Sequence, residues 1–517
     1  MQLGFVIDHS RCIGCHACTV ACKSENQVPV GSFRTWVKYT EAGEFPSVKR
    51  SFAVLRCNQC SAAPCVTICP TGALKKRPDG IVDVDPKICI GCKSCMQGCP
   101  YDALYLNPDK GTAEKCHFCA HRTEQGLAPA CAIVCPTEAI IPGDFDDPQS
   151  RVSRMKREYG LEARKLEAGT GPNVFYRDAA PAAIDPLATN GAGGYLWADR
   201  LPSVQRAAEE YLMEVGTLEE RAQARTTYSV DPKAYWGWKI TAYLVTKSVA
   251  AGVFIASYLW SGSPFRGGGV FEQRMALAVP LLALAFLTVT SALLVLDLKR
   301  PERFLYILLR PNWSSWLVRG TWFLIAYGTL LAVWVALGLT GGLEGAFARN
   351  LLGGVTTLAA GASACYTGWL FGQAKGRVLW MRRGLWAHLV VQAIVAGAAA
   401  LLLLGALVDL APGLRESASS TLISALAVHA AFVLLEGKLA PKKREAEYAL
   451  AHELVARGPF AQRHWTLGVF AGILLPLALL VAPGPQALPL LAAALALLGL
   501  WVEEDVLVRA GQALPIS

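Results

Sequence analysis

Sixteen of the seventeen cysteines fall between Cys12 and Cys135, and they fall in four groups of four. The groups are Cys12, Cys15, Cys18 and Cys22; Cys57, Cys60, Cys65 and Cys69; Cys89, Cys92, Cys95 and Cys99; and Cys116, Cys119, Cys131 and Cys135. A proline follows the last cysteine of the second, third and fourth groups. Cysteines this close leave little chain for long helices or strands between them. The first third of the sequence must therefore fold around whatever its thiols hold.

The run CIGCKSCMQGCP has the C-x2-C-x2-C-x3-C-P spacing that holds iron–sulfur cubanes in pairs. Three cysteines on one tight loop cap three corners of a cubane, with a small residue such as Gly91 letting the backbone approach the sulfides. The fourth cysteine, ahead of proline, points away and serves the neighbouring cluster. Four such groups specify four [4Fe–4S] clusters in two reciprocal pairs. Structural zinc also uses four cysteines, but as two separated C-x2-C units rather than runs ending in Cys-Pro. Disulfides need an oxidising compartment, and no basic-then-apolar leader precedes Cys12.

The rest of the chain is of another kind. Of 517 residues 53% are hydrophobic and 17% charged, and almost all long apolar runs lie after Trp236. Eight segments are long enough to span a bilayer, which takes about 20 apolar residues: 236–260, 276–296, 321–339, 351–371, 385–407, 418–436, 466–482 and 487–508. The net charge of +9 forms no basic stripe with interleaved aromatics, so it gives no nucleic-acid signal. It sits instead in alternate loops. Those after the second, fourth and sixth segments hold five, four and six Lys or Arg, against two, one, one and none in the others. By the positive-inside rule the rich loops, both termini and the cysteine domain are expected on the cytoplasmic side.

Between the two halves, AAPAAIDPLATNGAGG gives way to the charged stretch SVQRAAEEYLMEVGTLEERAQAR. This reads as a tether followed by a surface helix. The domains are thus expected at 1–180, 181–232 (linker) and 233–517, with an α+β double ferredoxin-like fold followed by an all-α polytopic membrane domain.

Two resemblances extend the reading. CNQCSAAPCVTICPTGALKKRPDGIVDVDPKICIGCKSCMQGCPYDAL and KCHFCAHRTEQGLAPACAIVCPTEAIIPGD resemble the four-cluster electron-transfer subunits of the polysulfide and dimethyl sulfoxide reductase type, over roughly residues 1–180. The resemblance implies that group one pairs with group four and group two with group three. The implied ligand sets are Cys12, Cys15, Cys18 with Cys135; Cys116, Cys119, Cys131 with Cys22; Cys57, Cys60, Cys65 with Cys99; and Cys89, Cys92, Cys95 with Cys69. Some relatives replace one ligand in the fourth group, whereas this sequence keeps all sixteen. It also implies a separate molybdenum- or tungsten-pterin catalytic subunit as partner.

DLKRPERFLYILLRPNWSSWLVRGTW, CYTGWLFGQAKGRVLW, RGPFAQRHWTLGVFAGILLPLAL and the terminal VRAGQALPIS resemble the NrfD-type membrane subunits, over about 235–517. Such subunits exchange electrons with quinone (menaquinone or ubiquinone) and bind no haem. By position, Lys239, Tyr243 and Tyr366 are the implied quinone contacts. Lys239 fits a snorkelling lysine as well, and Tyr366 an interfacial tyrosine. Charged groups inside spans are costly, so Lys247, His429 and Glu436 are candidates for a proton path, with a satisfied core histidine as the plainer reading of His429. Three functions follow: a fused electron-transfer and membrane-anchor subunit of a molybdopterin oxidoreductase complex, an electron-coupled proton-translocating module, or a stand-alone ferredoxin:quinone oxidoreductase.

Overall fold

The structure is a computed structural model that describes the chain except residues 44, 190–206, 209, 210, 212–223, 231–233, 261–269, 341, 342, 344, 345, 409–411 and 486. Most of the expected surface helix in the linker lies outside the described residues.

The cysteine domain is made of short elements, as its spacing dictates. Leu3–Asp8 pairs antiparallel with Ile140–Asp144 and parallel with Val174–Arg177, tying the start of the domain to its end. Thr35–Ala42 and Lys49–Arg56 form a hairpin. Small hairpins, Leu74–Lys76 with Val82–Val84 and Leu104–Leu106 with Ala113–Lys115, follow the second and third cysteine groups. The linker is more than a spacer. Ala224–Tyr228 returns as a strand on the free edge of Thr35–Ala42, where Tyr228 packs on Tyr39 with ring centroids 5.1 Å apart. The β-branched and aromatic residues of ARTTY suit that half-buried edge.

Each of the eight apolar segments falls on a helix. They are α1 (Trp238–Trp260), α2 (Val270–Leu296), α3 (Trp316–Thr340), α4 (Ala346–Gln373), α5 (Leu385–Leu407), α6 (Pro412–Leu435), α7 (Arg463–Val481) and α8 (Ala487–Ala510). By length and composition six of them can cross a membrane: α1, α2, α3, α5, α6 and α7. The molecule is a multi-pass membrane protein. Of the eight crossings expected, these six are met among the described residues.

Helices α1 and α5 form the centre. The apolar window of α1 is 89% buried and that of α5 67%, against 28% for α2 and α3. Their backbones meet at Gly252 and Gly397, where a Cβ on Gly252 would lie 1.6 Å from the Ala393 carbonyl oxygen. Small residues permit that approach between membrane helices, where van der Waals packing rather than the hydrophobic effect drives association.

The cysteine domain rests on two of the Lys/Arg-rich loops. Between α2 and α3, the Lys299 and Arg300 amides donate to the Gly91 and Ile90 carbonyls at 3.4 and 3.2 Å. Asn312 Nδ2 donates to the Val66 and Cys69 carbonyls at 3.2 and 2.7 Å, and Ser315 Oγ to Ile68 O at 2.8 Å. Between α4 and α5, Arg377 Nε donates to Gln97 Oε1 at 2.7 Å, and Gln97 Nε2 donates to Gln512 Oε1 at 2.9 Å.

The α1–α5 contact makes a direct prediction. Gly252→Val must push the two backbones apart, which costs at least the about 1–3 kcal/mol of an overpacked core. The thermal unfolding midpoint of the detergent-solubilised protein is expected to fall by several degrees. Gly372→Ala, with nothing within 4 Å of its added Cβ, leaves that midpoint in place.

Candidate functional site: four cysteine sets and an adjoining cavity

The fold gathers the sixteen thiols into neighbourhoods. Cys135 and Cys15 are the thiols that act electrostatically on Cys12. Cys116, Cys131 and Cys119 act on Cys22. Cys57 and Cys99 act on Cys60, and Cys69 acts on Cys89 and Cys92. Groups one and four thus meet, as do groups two and three. The backbone is shaped for it: Gly14 and Gly91, each one residue before the second cysteine of its loop, have φ of +71° and +68°. A Cβ at Gly91 would lie 2.5 Å from the Gly111 carbonyl oxygen, so both conformation and close approach demand glycine there.

These thiols sit in surroundings that disfavour their ionised form. Burial pushes Cys18 up to about 11, and Cys92 and Cys99 up to about 12. Holding them as thiolates takes cations. Two fixed ones are buried beside them. Arg56 is fully buried, donates Nη1 to Cys131 Sγ at 3.2 Å and acts on Cys18 and Cys116, yet its Nε and Nη2 have no hydrogen-bond partner. Lys115 donates Nζ to the Cys116 carbonyl at 2.7 Å and acts on Cys57 and Cys65. Orphaned donors aimed among thiolates fit a bound anionic iron–sulfur cluster with sulfides to accept them.

Zinc fits poorly. Bonds of about 2.3 Å would gather four sulfurs to about 3.8 Å from one another. Among the described residues, the one trio of His, Cys, Asp or Glu ligand atoms lying within 4.8 Å of one another is His388, His429 and Glu503.

Below the third cysteine group lies a cavity of about 490 Å³, within the range of cofactor and ligand sites. Cys92, Ser94 and Trp236 form its cysteine-side wall, and α1 to α4 with the segment joining α2 to α3 its remaining walls. Trp236 Nε1 donates to the Cys92 carbonyl at 3.4 Å, and its ring stacks on Trp380 with centroids 5.4 Å apart. Leu284, Leu287, Leu324 and Ile325 make most of the volume apolar. The polar end is small. Tyr243 and Tyr366 hydrogen-bond hydroxyl to hydroxyl, and Tyr243 also bonds Thr367 Oγ1 at 2.9 Å. At the mouth Asp297 pairs with Lys93 at 2.7 Å, one residue from Cys92.

The two tyrosines named from the sequence line this cavity; Lys239 does not. Its Nζ donates to the Leu296 carbonyl at 2.9 Å. Lys247 is 1% exposed and donates to Thr367 Oγ1 at 2.8 Å and to Ala364 O at 2.9 Å, which joins it to the tyrosine pair. His429 and Glu436 do not bond each other. His429 Nε2 meets Glu503 Oε2 at 2.7 Å, its Nδ1 meets His388 Nε2 at 2.9 Å, and Glu436 pairs with Arg382. Arg382 Nη2 lies 2.6 Å from His388 Nδ1 and can only donate. That fixes every tautomer: His388 donates from Nε2 to His429, and His429 donates from Nε2 to Glu503. All four imidazole nitrogens are spent, so the trio is a hydrogen-bonded row rather than a metal site.

Sequence reasoning missed Thr367 and Trp236. Tyr243 and Lys247 lie four residues apart on one helix, and that spacing was the available pointer to a shared network.

Fold and site together define an iron–sulfur electron-transfer domain fused to a helical membrane module. Residues 227–515 match the family model for polysulphide reductase, NrfD, and residues 48–145 that for a 4Fe-4S dicluster domain. The protein belongs to the NrfD polysulphide reductase family. Its cysteine domain is 46% identical over 190 residues to a subunit of the tetrathionate reductase of Salmonella typhimurium, covering 36% of this chain and 76% of that protein. It is 38% identical over 224 residues to the arsenate respiratory reductase iron-sulfur subunit ArrB of a Shewanella species (34% and 96%). It is 39% identical over 177 residues to a component of the polysulfide reductase of Wolinella succinogenes (34% and 93%).

Arg56 yields the prediction here. Replacing it by methionine removes a buried positive charge beside the thiolates and so favours the oxidised cluster. The midpoint potential of one cluster is expected to drop by on the order of 100 mV, followed by paramagnetic resonance during a potentiometric titration. Unchanged potentials would place the guanidinium outside the clusters' field.

Proposed function

We propose that the protein passes electrons between a separate Mo- or W-pterin catalytic subunit and the membrane quinone pool. Four [4Fe–4S] clusters would be held by Cys12, Cys15, Cys18 and Cys135; Cys116, Cys119, Cys131 and Cys22; Cys57, Cys60, Cys65 and Cys99; and Cys89, Cys92, Cys95 and Cys69. The clusters supply one-electron transfer when bound. The protein supplies their order and the place where quinone meets them. The observation that carries this reading is that one cavity has Cys92 in one wall and the Tyr243–Tyr366 pair in another.

Tyr243 and Tyr366 offer hydroxyls to a quinone head group, and the Leu-rich remainder takes its apolar tail. The relatives are named as parts of tetrathionate, arsenate and polysulfide reductases, which supports a catalytic partner. The loop charges support a bacterial cytoplasmic membrane crossed eight times, with the cluster domain inside. Coupled proton movement is favoured at Lys247, whose ammonium reaches the tyrosine pair through Thr367. His429 and Glu436 are satisfied by other partners.

Purification from native membranes with metal analysis tests the assembly. About sixteen irons per chain with a co-purifying Mo or W subunit are expected. Sixteen irons alone, with quinone reduced from a soluble ferredoxin, would favour the stand-alone oxidoreductase instead. For the site, Tyr366→Phe is expected to slow cluster reduction by quinol about tenfold, the worth of one hydrogen bond, while dithionite still reduces every cluster. An unaltered quinol rate would remove Tyr366 from the site.

A further inference from the structure

Among the described residues, Glu504 acts on the cavity's Tyr243 and is left without a task by the electron-transfer reading. It is 2% exposed, and neither carboxylate oxygen has a hydrogen-bond partner. Its neighbours on α8 are both engaged: Glu503 accepts from His429, and Asp505 pairs with Arg509 and Arg463. A buried carboxylate left unpartnered is unfavourable as an anion, so the site is built for a carboxyl that gains and loses a proton. Lys247, Glu503 and Arg382 are the charges that act on it, and it acts in turn on Tyr243. Arg382 is occupied by Glu436 and His388, and Glu503 repels. That leaves Lys247 as the cation able to serve it. Lys247 spends its bonds on the other side, on Thr367 and Ala364, and Thr367 reaches Tyr243.

We propose that Glu504 is the proton acceptor of the cavity, reached from it through Tyr366, Tyr243, Thr367 and Lys247. The inference rests on the quinone reading above. Oxidation of one quinol breaks two O–H bonds and releases two protons and two electrons, which a cluster held by Cys92 would take one at a time. One proton enters the tyrosine pair; Lys247, which is not bonded to Glu504 at rest, swings from Ala364 to give a proton to the Glu504 carboxylate and regains one through Thr367, so the ammonium is restored and Glu504 becomes a neutral acid. The second leaves to water at the mouth beside the partly exposed Asp297. Reduction of quinone runs the same steps backward. His429, His388 and Arg382 stay outside this route, because an arginine at the end of their row has no proton to give.

Redox-induced infrared difference spectra of the full, cluster-loaded protein in lipid test this, with a decyl-tailed quinol as probe. The wild-type protein is expected to show a protonated-carboxyl band that shifts in D2O. Glu504→Gln loses the band, Glu504→Asp moves it, and Glu503→Gln keeps it. A band that survives Glu504→Gln, or stays unmoved in Glu504→Asp should the glutamine variant fail to assemble, overturns the proposal. So does cluster reduction by quinol with no carboxyl band at all. If quinol does not reduce the clusters of the wild-type protein, the quinone reading itself falls, and the two failures are thereby told apart.

Discussion

The contact between the third cysteine loop and the α2–α3 loop sets the terms for everything else. Lys299 and Arg300 bond the Gly91 and Ile90 carbonyls backbone to backbone, and no side chain fits between them at Gly91. Cys92 is therefore held against the membrane module by main-chain geometry, which rotamer changes do not relax. The Lys93–Asp297 pair sits at the same seam, its side chains 7% and 13% exposed. A pair that buried gains little net stability, since desolvation offsets its attraction, but breaking it leaves a lone charge. Its use here is to fix the register of the two domains at the cavity mouth.

Two polar systems run through the helices, and they differ in kind. Hydroxyls and an ammonium lead from the cavity to Lys247: Tyr366, Tyr243 and Thr367, each able to donate or accept. The row Arg382, His388, His429 and Glu503 has its direction fixed by an arginine that cannot accept. The first can reverse. The second holds α5, α6 and α8 together with every donor and acceptor satisfied.

Much of this was legible in the sequence, and the reason is stoichiometric. Cysteines at fixed short spacing can satisfy one kind of centre, and the eight apolar runs each became a helix. Tyr243 and Tyr366, implied by the resemblance, both line the cavity. Three things were not legible. The strand Ala224–Tyr228 follows a long charged stretch, and its partner lies more than 180 residues earlier, so no local pattern announces it. Lys239 lies one turn before Tyr243 on the same helix face, but its ammonium turns to the Leu296 carbonyl and does not line the cavity. Glu503 and Glu504 are adjacent, identical in type and opposite in circumstance: one accepts from a histidine, the other from nothing. Side-chain direction decides that, and helix packing sets the direction.

A density map of the cluster-loaded protein with a tight-binding quinone-site inhibitor tests the central claim most directly. The inhibitor ring is expected between Tyr243 and Tyr366 on one side and Trp236 on the other, with the cluster held by Cys69, Cys89, Cys92 and Cys95 as its nearest metal centre. An inhibitor seated elsewhere in the bundle, or nearest to the cluster of Cys12, Cys15, Cys18 and Cys135, would contradict it.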